Sequence, residues 1–125
     1  MTGLTLDAGA LIAFDKNERE TVALLARARE LGLTLAVPAG VVGQAWRDGR
    51  RQARLARLLA SSELEVVPLD DRSARAAGQL CGVRRTRDVI DASVVLCARA
   101  RGHRIVTSDA DDMKRLDPDA PLIRV

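Results

Sequence analysis

Aromatic residues are almost missing from this 125-residue chain, which has one Phe, one Trp and no Tyr. A single domain of this length buries roughly two-thirds of its unfolded surface, so Leu, Val, Ile and Ala must build the core. The same scarcity argues against RNA recognition through stacked aromatic platforms. Cysteine is also sparse. Cys81 and Cys97 lack CxxC spacing, and His103 is the one histidine beside them, which fits neither a disulfide framework nor a zinc site. Both cysteines read as small buried apolar residues. His103 follows Gly102 where a helix gives way to a strand, so it reads as a solvated or capping residue rather than a catalytic one. No apolar run is long enough to span a membrane, and MTGLTLD lacks the basic-then-apolar order of a signal peptide. A cytoplasmic protein is expected.

Lys and Arg number 20 against 17 Asp and Glu, and nearly all the positive charge is arginine. Its planar guanidinium suits bidentate phosphate contacts, so a polyanionic partner is expected. The run RDGRRQARLARLL concentrates that charge in Arg47, Arg50, Arg51, Arg54 and Arg57. Three readings stay open for it. It forms a stripe for RNA phosphates, an ordinary solvated helix face, or, through Leu55, Leu58 and Leu59, a seat for an apolar partner.

Strand and helix signals alternate along the chain. Residues 2–6, 33–37, 63–67, 103–106 and 122–125 read as strands. Between them, AGALIAF reads as a short helix, and residues 17–31 as an amphipathic one with Asn17 as N-cap, Glu20 three residues on and Gly32 past its end. AGVVGQAWRDG and RRQARLARLLAS read as two helices parted near Gly49, followed by helices over 70–81, 88–101 and 109–115. This order predicts one α/β domain over residues 1–125, with a mostly parallel sheet of about five strands covered on both faces.

Five aspartates stand where these elements begin or end: Asp7, Asp88, Asp91, Asp109 and Asp112. Asp7 and Asp109 are about a hundred positions apart, yet neighbouring parallel strands bring both to one sheet edge. Asp88 and Asp91 are three apart at a helix start and face the same way. Helix capping competes with metal ligation at Asp88, Asp109 and Asp112, and the helix dipole alone can stabilise Asp7. Asp91 is different, because Ala92 and Ser93 continue an apolar face on which an unpaired carboxylate is costly. Thr107 and Ser108 add hydroxyls suited to capping or to holding a carboxylate or a water.

Four segments in this order and spacing, LDAGALIA, VPAGVVGQAWRDG, DVIDASVVLCARARG and RIVTSDADDM, resemble the PIN-domain ribonucleases, and especially the VapC-like toxins of bacterial type II toxin-antitoxin pairs. The resemblance covers essentially the whole chain. It implies a three-layer α/β/α PIN-like fold and a metal-dependent endoribonuclease leaving a 5'-phosphate and a 3'-hydroxyl. Asp7, Asp91 and Asp109 are similar to the family's core catalytic and metal-site acids, with Asp88 and Asp112 as auxiliary metal-site acids. The ion implied is Mg2+ or Mn2+, and an oxygen-only acidic site independently favours such hard cations over zinc. The partners implied are transfer or messenger RNA, a cognate VapB-like antitoxin received near the arginine run, and a second copy in a homodimer. Arg84, Arg85 and Arg87 flank the acidic site and, with Arg47, are expected to grip RNA.

The chain departs from the family at Gln44, where a glutamate is usual. Gln44 is then expected to lie near the metal or to orient water, and Asp48, one turn on, either substitutes for the missing acid or is a solvated loop residue before Gly49. The alternative function is a catalytically weakened PIN fold that binds RNA or antitoxin. A receiver-type phosphorylation domain fits less well, because no suitably placed lysine follows a late strand.

Overall fold

The computed structural model describes residues 2–125. Its elements run β1 (Gly3–Leu6), α1 (Ala8–Asp15), α2 (Arg19–Glu30), β2 (Thr34–Pro38), α3 (Ala39–Ala45), α4 (Ala53–Leu59), β3 (Leu64–Val67), α5 (Asp71–Arg84), α6 (Val89–Arg101), β4 (Arg104–Thr107), α7 (Ala110–Leu116) and β5 (Leu122–Arg124). The five strands form one sheet in the order β3-β2-β1-β4-β5, and every pairing is parallel. The expected α/β architecture with five parallel strands is what the chain adopts.

The strand sequences explain the order. GLTL of β1 is buried along its whole length, as a central strand covered on both faces must be, whereas LEVV of β3 exposes Glu65 and Val66 at the sheet edge. Helices α1 to α4 pack together on one side, and α5 to α7 on the other. In α6, Ala92, Val94, Val95 and Ala98 press against the sheet, and the helix stops where Gly102 takes a left-handed φ of 66°. The core is aliphatic as expected, built on Leu4, Leu6, Leu11, Leu35, Leu55, Ile105 and Met113. Among the described residues no helix is long and apolar enough to cross a membrane.

The chain runs outward from β1 to β2 and β3, returns through α5 and α6 to β4, and continues to β5. The direction of winding therefore reverses between β1 and β4, and the carboxyl ends of those two strands open a crevice of the kind that holds ligands in open parallel sheets.

Several local expectations are corrected. Asn17 is not the cap of α2: it sits at a left-handed φ of 61°, and Glu18 takes the N-cap position without a side-chain bond. Helix α5 does not stop at Gly82 but runs to Arg84 and ends on left-handed Arg85. Glycine weakens a helix without terminating it, and the surrounding packing carries the turn through. Helix α4 starts at Ala53 rather than at Arg50. Gln52 holds the preceding loop, its Oε1 accepting the N–H groups of Arg47 (2.7 Å) and Asp48 (2.9 Å) while its amide donates to Ala45 O (2.9 Å). His103 is buried rather than solvated, packed at the opposite end of the sheet between Thr5 (Oγ1 to Nδ1, 3.1 Å) and Thr34 (Oγ1 to Nε2, 3.5 Å). Cys81 and Cys97 are free and buried, as expected.

Candidate active site

Asp7 follows the last residue of β1 and caps α1, its Oδ1 accepting the N–H of Ala10 at 2.9 Å. It is only 4% exposed. Burial raises its pKa, and hydrogen bonds from the Thr107 hydroxyl and from the N–H groups of Ala10, Gly9 and Ser108 pull it back. A carboxylate held from several sides has little freedom to reorient, which is the preorganisation a ligand-binding side chain needs. Thr107, fully buried at the end of β4, also accepts the N–H of Asp109 at 2.8 Å, so one hydroxyl ties the ends of β1 and β4 together. Ser108 is exposed, and its side chain rests against Gly9 so closely that any Cβ there collides with Oγ.

The capping question raised by the sequence resolves differently at each aspartate. Asp88 caps α6, accepting the N–H of Asp91 at 2.9 Å. Asp109 occupies the N-cap position of α7 with no side-chain capping bond, and Asp112 lies in the first turn of that helix. Asp91 caps nothing. Burial, then the charge and hydrogen bond of Asp88, then the charges of Asp7 and Asp112, push its carboxyl up to about 7. Asp109 is raised chiefly by a side-chain hydrogen bond with Asp112, then by burial and by the charges of Asp112, Asp7 and Asp111. The five aspartates thus form one interacting group spanning the β1–β4 crevice.

No salt bridge among the described residues reaches any of the five. Nor do three acidic, histidine or cysteine side chains among the described residues close into a ready-made cation cage. Like charges without a counter-ion repel, so a spread carboxylate set in which Asp7, Asp91 and Asp109 have raised pKa values fits a site completed by a hard cation. The donor set, oxygen alone, matches Mg2+ or Mn2+.

The remaining sequence candidates are placed as follows. Gln44 lies on α3, exposed, and its side chain makes no hydrogen bond among the described residues. Asp48 belongs to the loop, its Oδ1 accepting the N–H of Arg50 at 3.0 Å and Oδ2 lying 3.8 Å from Arg51 Nε, as a turn residue would. The Arg47 guanidinium donates to the carbonyls of Gly43 (2.9 Å) and Trp46 (2.7 Å) and so closes the end of α3. Arg84 Nε donates to Arg115 O at 2.9 Å, joining α5 to α7. Arg85 sits in the left-handed turn at φ 58°. Arg87 lines a cleft of about 250 Å³ with Thr86, Asp88, Asp91, Asp112, Leu116 and Arg115. Arg115 escaped the sequence reading, because a basic residue in the last turn of a helix is accounted for by the helix dipole alone. A roomier cavity of about 410 Å³, lined by Pro38, Val67, Leu69, Leu96 and Cys97 among others, has no carboxylate and lies apart from this chemistry.

A family model for the PIN domain matches residues 4–118. The chain belongs to the PIN-domain family. The PIN fold is also that of its structural neighbours. A toxin-antitoxin complex from Klebsiella pneumoniae superposes with a TM-score of 0.71 at 14% identity, covering 97% of this chain and 96% of that one. VapBC2 from Rickettsia felis, bound to a DNA fragment from its promoter, gives 0.70 at 18%, covering 98% of each chain. VapC20 from Mycobacterium tuberculosis, a sarcin-ricin loop cleaving toxin, gives 0.64 at 15%, covering 88% of this chain and 94% of that one. At these identities the likeness establishes the fold. Comparison with curated proteins finds no match.

Proposed function

We propose that this PIN domain is a Mg2+- or Mn2+-dependent endoribonuclease that acts as the toxin of a toxin-antitoxin pair in the cytoplasm. What supports the reading is the mutual electrostatic influence of Asp7, Asp88, Asp91, Asp109 and Asp112 at strand ends and helix starts, with no salt bridge among the described residues to any of them. Asp7, Asp91 and Asp109 would hold the ion, with Asp88 and Asp112 assisting. Bound there, it supplies Lewis-acid activation and charge stabilisation for phosphodiester hydrolysis. The chain's own residues do the positioning. Thr107 and the N–H groups around Asp7 fix the deepest carboxylate, Asp88 orients the start of α6, and Ser108 packs the β4–α7 turn against Gly9.

The antitoxin reading draws support from a groove of about 370 Å³ lined by Phe14, Val22, Leu58, Arg29, Arg54 and Arg57. Apolar side chains rimmed by arginines suit an acidic amphipathic segment. Homodimerisation belongs to the same proposal.

Incubating the purified protein with transfer RNA and messenger RNA in Mg2+ or Mn2+ tests the enzyme. Fragments bearing 5'-phosphates, absent with chelator, are expected, and cleavage no greater than that of Asp7→Asn overturns the claim. One observation favours a second reading, a weakened nuclease retained for binding: the residue at position 44 is a neutral, exposed glutamine. In that case RNA or antitoxin binds while cleavage stays at the level of the Asp7→Asn control.

A further inference from the structure

The cleft beside the acidic group carries positive charge that the carboxylates leave unused. Asp88, Asp91 and Asp112 share it with Thr86, Arg87 and Arg115. Both arginines are exposed, and neither forms a salt bridge with any of these aspartates. Opposite charges that line one cleft without pairing leave the guanidinia free for another anion.

The position of Arg115 is set by the fold. The bond from Arg84 Nε to Arg115 O anchors the end of α7 to α5 and holds Arg115 in place along the cleft wall. Its neighbour Lys114, equally exposed on α7, does not line the cleft. Two unpaired planar forks and the Thr86 hydroxyl form a donor set that matches the oxygens of a phosphodiester. Neither Asp7 nor Asp109 lines this cleft, so its basic wall lies to one side of the strand-end centre.

We propose that Arg115 and Arg87 grip a backbone phosphate adjacent to the scissile one, on the α7 side of the site. The assignment rests on the reading of this PIN domain as an RNA-cleaving enzyme. Its test is binding rather than turnover: polarisation of a labelled single-stranded RNA with the full-length Asp7→Asn protein across a salt series. Arg115→Ala and Arg87→Ala are each expected to weaken binding about five- to twentyfold and to lower the log–log salt slope, the two together by about 0.7, the value for one phosphate contact on a single strand. Arg115→Lys should restore the slope but not the full affinity, and Lys114→Ala should change neither. Once the cleavage position is mapped, oligonucleotides each carrying one neutral methylphosphonate should reveal a single position, beside that bond, at which Arg115→Ala costs nothing further. If Asp7→Asn binds RNA and both arginine variants match it, the phosphate grip is overturned while the nuclease reading stands. Equal losses in Arg115→Ala and Lys114→Ala overturn it as well, by showing only a general charge effect. If the parent binds no RNA and the wild type cuts none, both readings fall.

Discussion

Asp88 Oδ1 accepts the backbone N–H of Asp91 at 2.9 Å, so the residue that starts α6 also sets the electrostatics of the carboxylate one turn on. Burial is the largest cause of the Asp91 shift to about 7, and Asp88 is the next. Asn caps a helix about as well as Asp. Asp88→Asn should therefore keep α6 intact and lower the pKa of Asp91, which a carboxyl-carbon NMR titration of the metal-free protein reads directly. An unchanged Asp91 titration sinks this account of the coupling.

Asp91 and His103 should tilt the pH dependence of stability in opposite directions. The folded pKa of Asp91 is about 7 against an ordinary 3.8, so the folded state holds more protons than the unfolded one between those values. Stability then falls as pH rises from about 4 to 7. In Asp91→Asn that slope should flatten, and at pH 8 without metal the variant should gain on the order of 2 kcal/mol, after discounting for partial exposure and coupling. His103 is lowered by burial and by the charge of Arg101, with Glu65 opposing. The folded state therefore binds its proton less readily, and stability falls as pH drops below about 6.5. His103→Gln should remove that acid-side loss while leaving the Asp91 slope in place. Denaturant midpoints across pH 4 to 8 measure both.

Adding the cation should reverse the electrostatic cost at the crevice. A ligand bound only by the folded state stabilises it by about 2.7 kcal/mol at a hundred times its dissociation constant. Saturating Mn2+ should raise the Tm of the wild type by several degrees and that of Asp7→Asn or Asp91→Asn much less. Equal rises in all three proteins rule out these ligands.

The fold was legible because its signals are physical and local. Apolar strand segments alternate with helices, and parallel pairing follows from burial on both faces of β1. The grouping of the five aspartates was legible as well, since each stands at a strand end or helix start. What stayed hidden depends on side chains meeting across the chain. Thr107 reaches Asp7, Gln52 ties down residues 47 and 48, and Arg84 Nε bonds across to the end of α7. Capping and charge pairing look alike in sequence, and they separate only in the structure, where Asp88 accepts the Asp91 N–H and Asp109 makes no side-chain capping bond.

Two glycines make a sharp pair. A Cβ at Gly9 collides with the Ser108 side chain, whereas one at Gly43 meets no neighbouring atom. Gly9→Ala should therefore cost about 1–3 kcal/mol through overpacking and displace the β4–α7 turn that carries Asp109. Gly43→Ala, in the interior of α3, should instead stabilise the protein by about 0.5–1 kcal/mol. Thermal melts with a cleavage assay separate the two, and equal behaviour contradicts the close approach of Ser108 to Gly9.

Gln44 is the place where this chain departs from the pattern of acids it otherwise carries. The amide is exposed on α3 and free of described hydrogen bonds, so a carboxylate there breaks no existing contact and costs little stability. It also adds negative charge on a helix that packs against both α1 and α6, the helices started by Asp7 and Asp88. Charge added near a cation site strengthens cation binding most at low ionic strength, where screening is weakest. Gln44→Glu should therefore tighten Mn2+ binding by about threefold to tenfold at low salt, raise cleavage in step, and leave the metal-free Tm within about a degree. Calorimetric titration and RNA cleavage measured on one preparation decide it. A variant that binds Mn2+ no better than wild type places position 44 outside the reach of the site, and the missing glutamate then carries no consequence for activity.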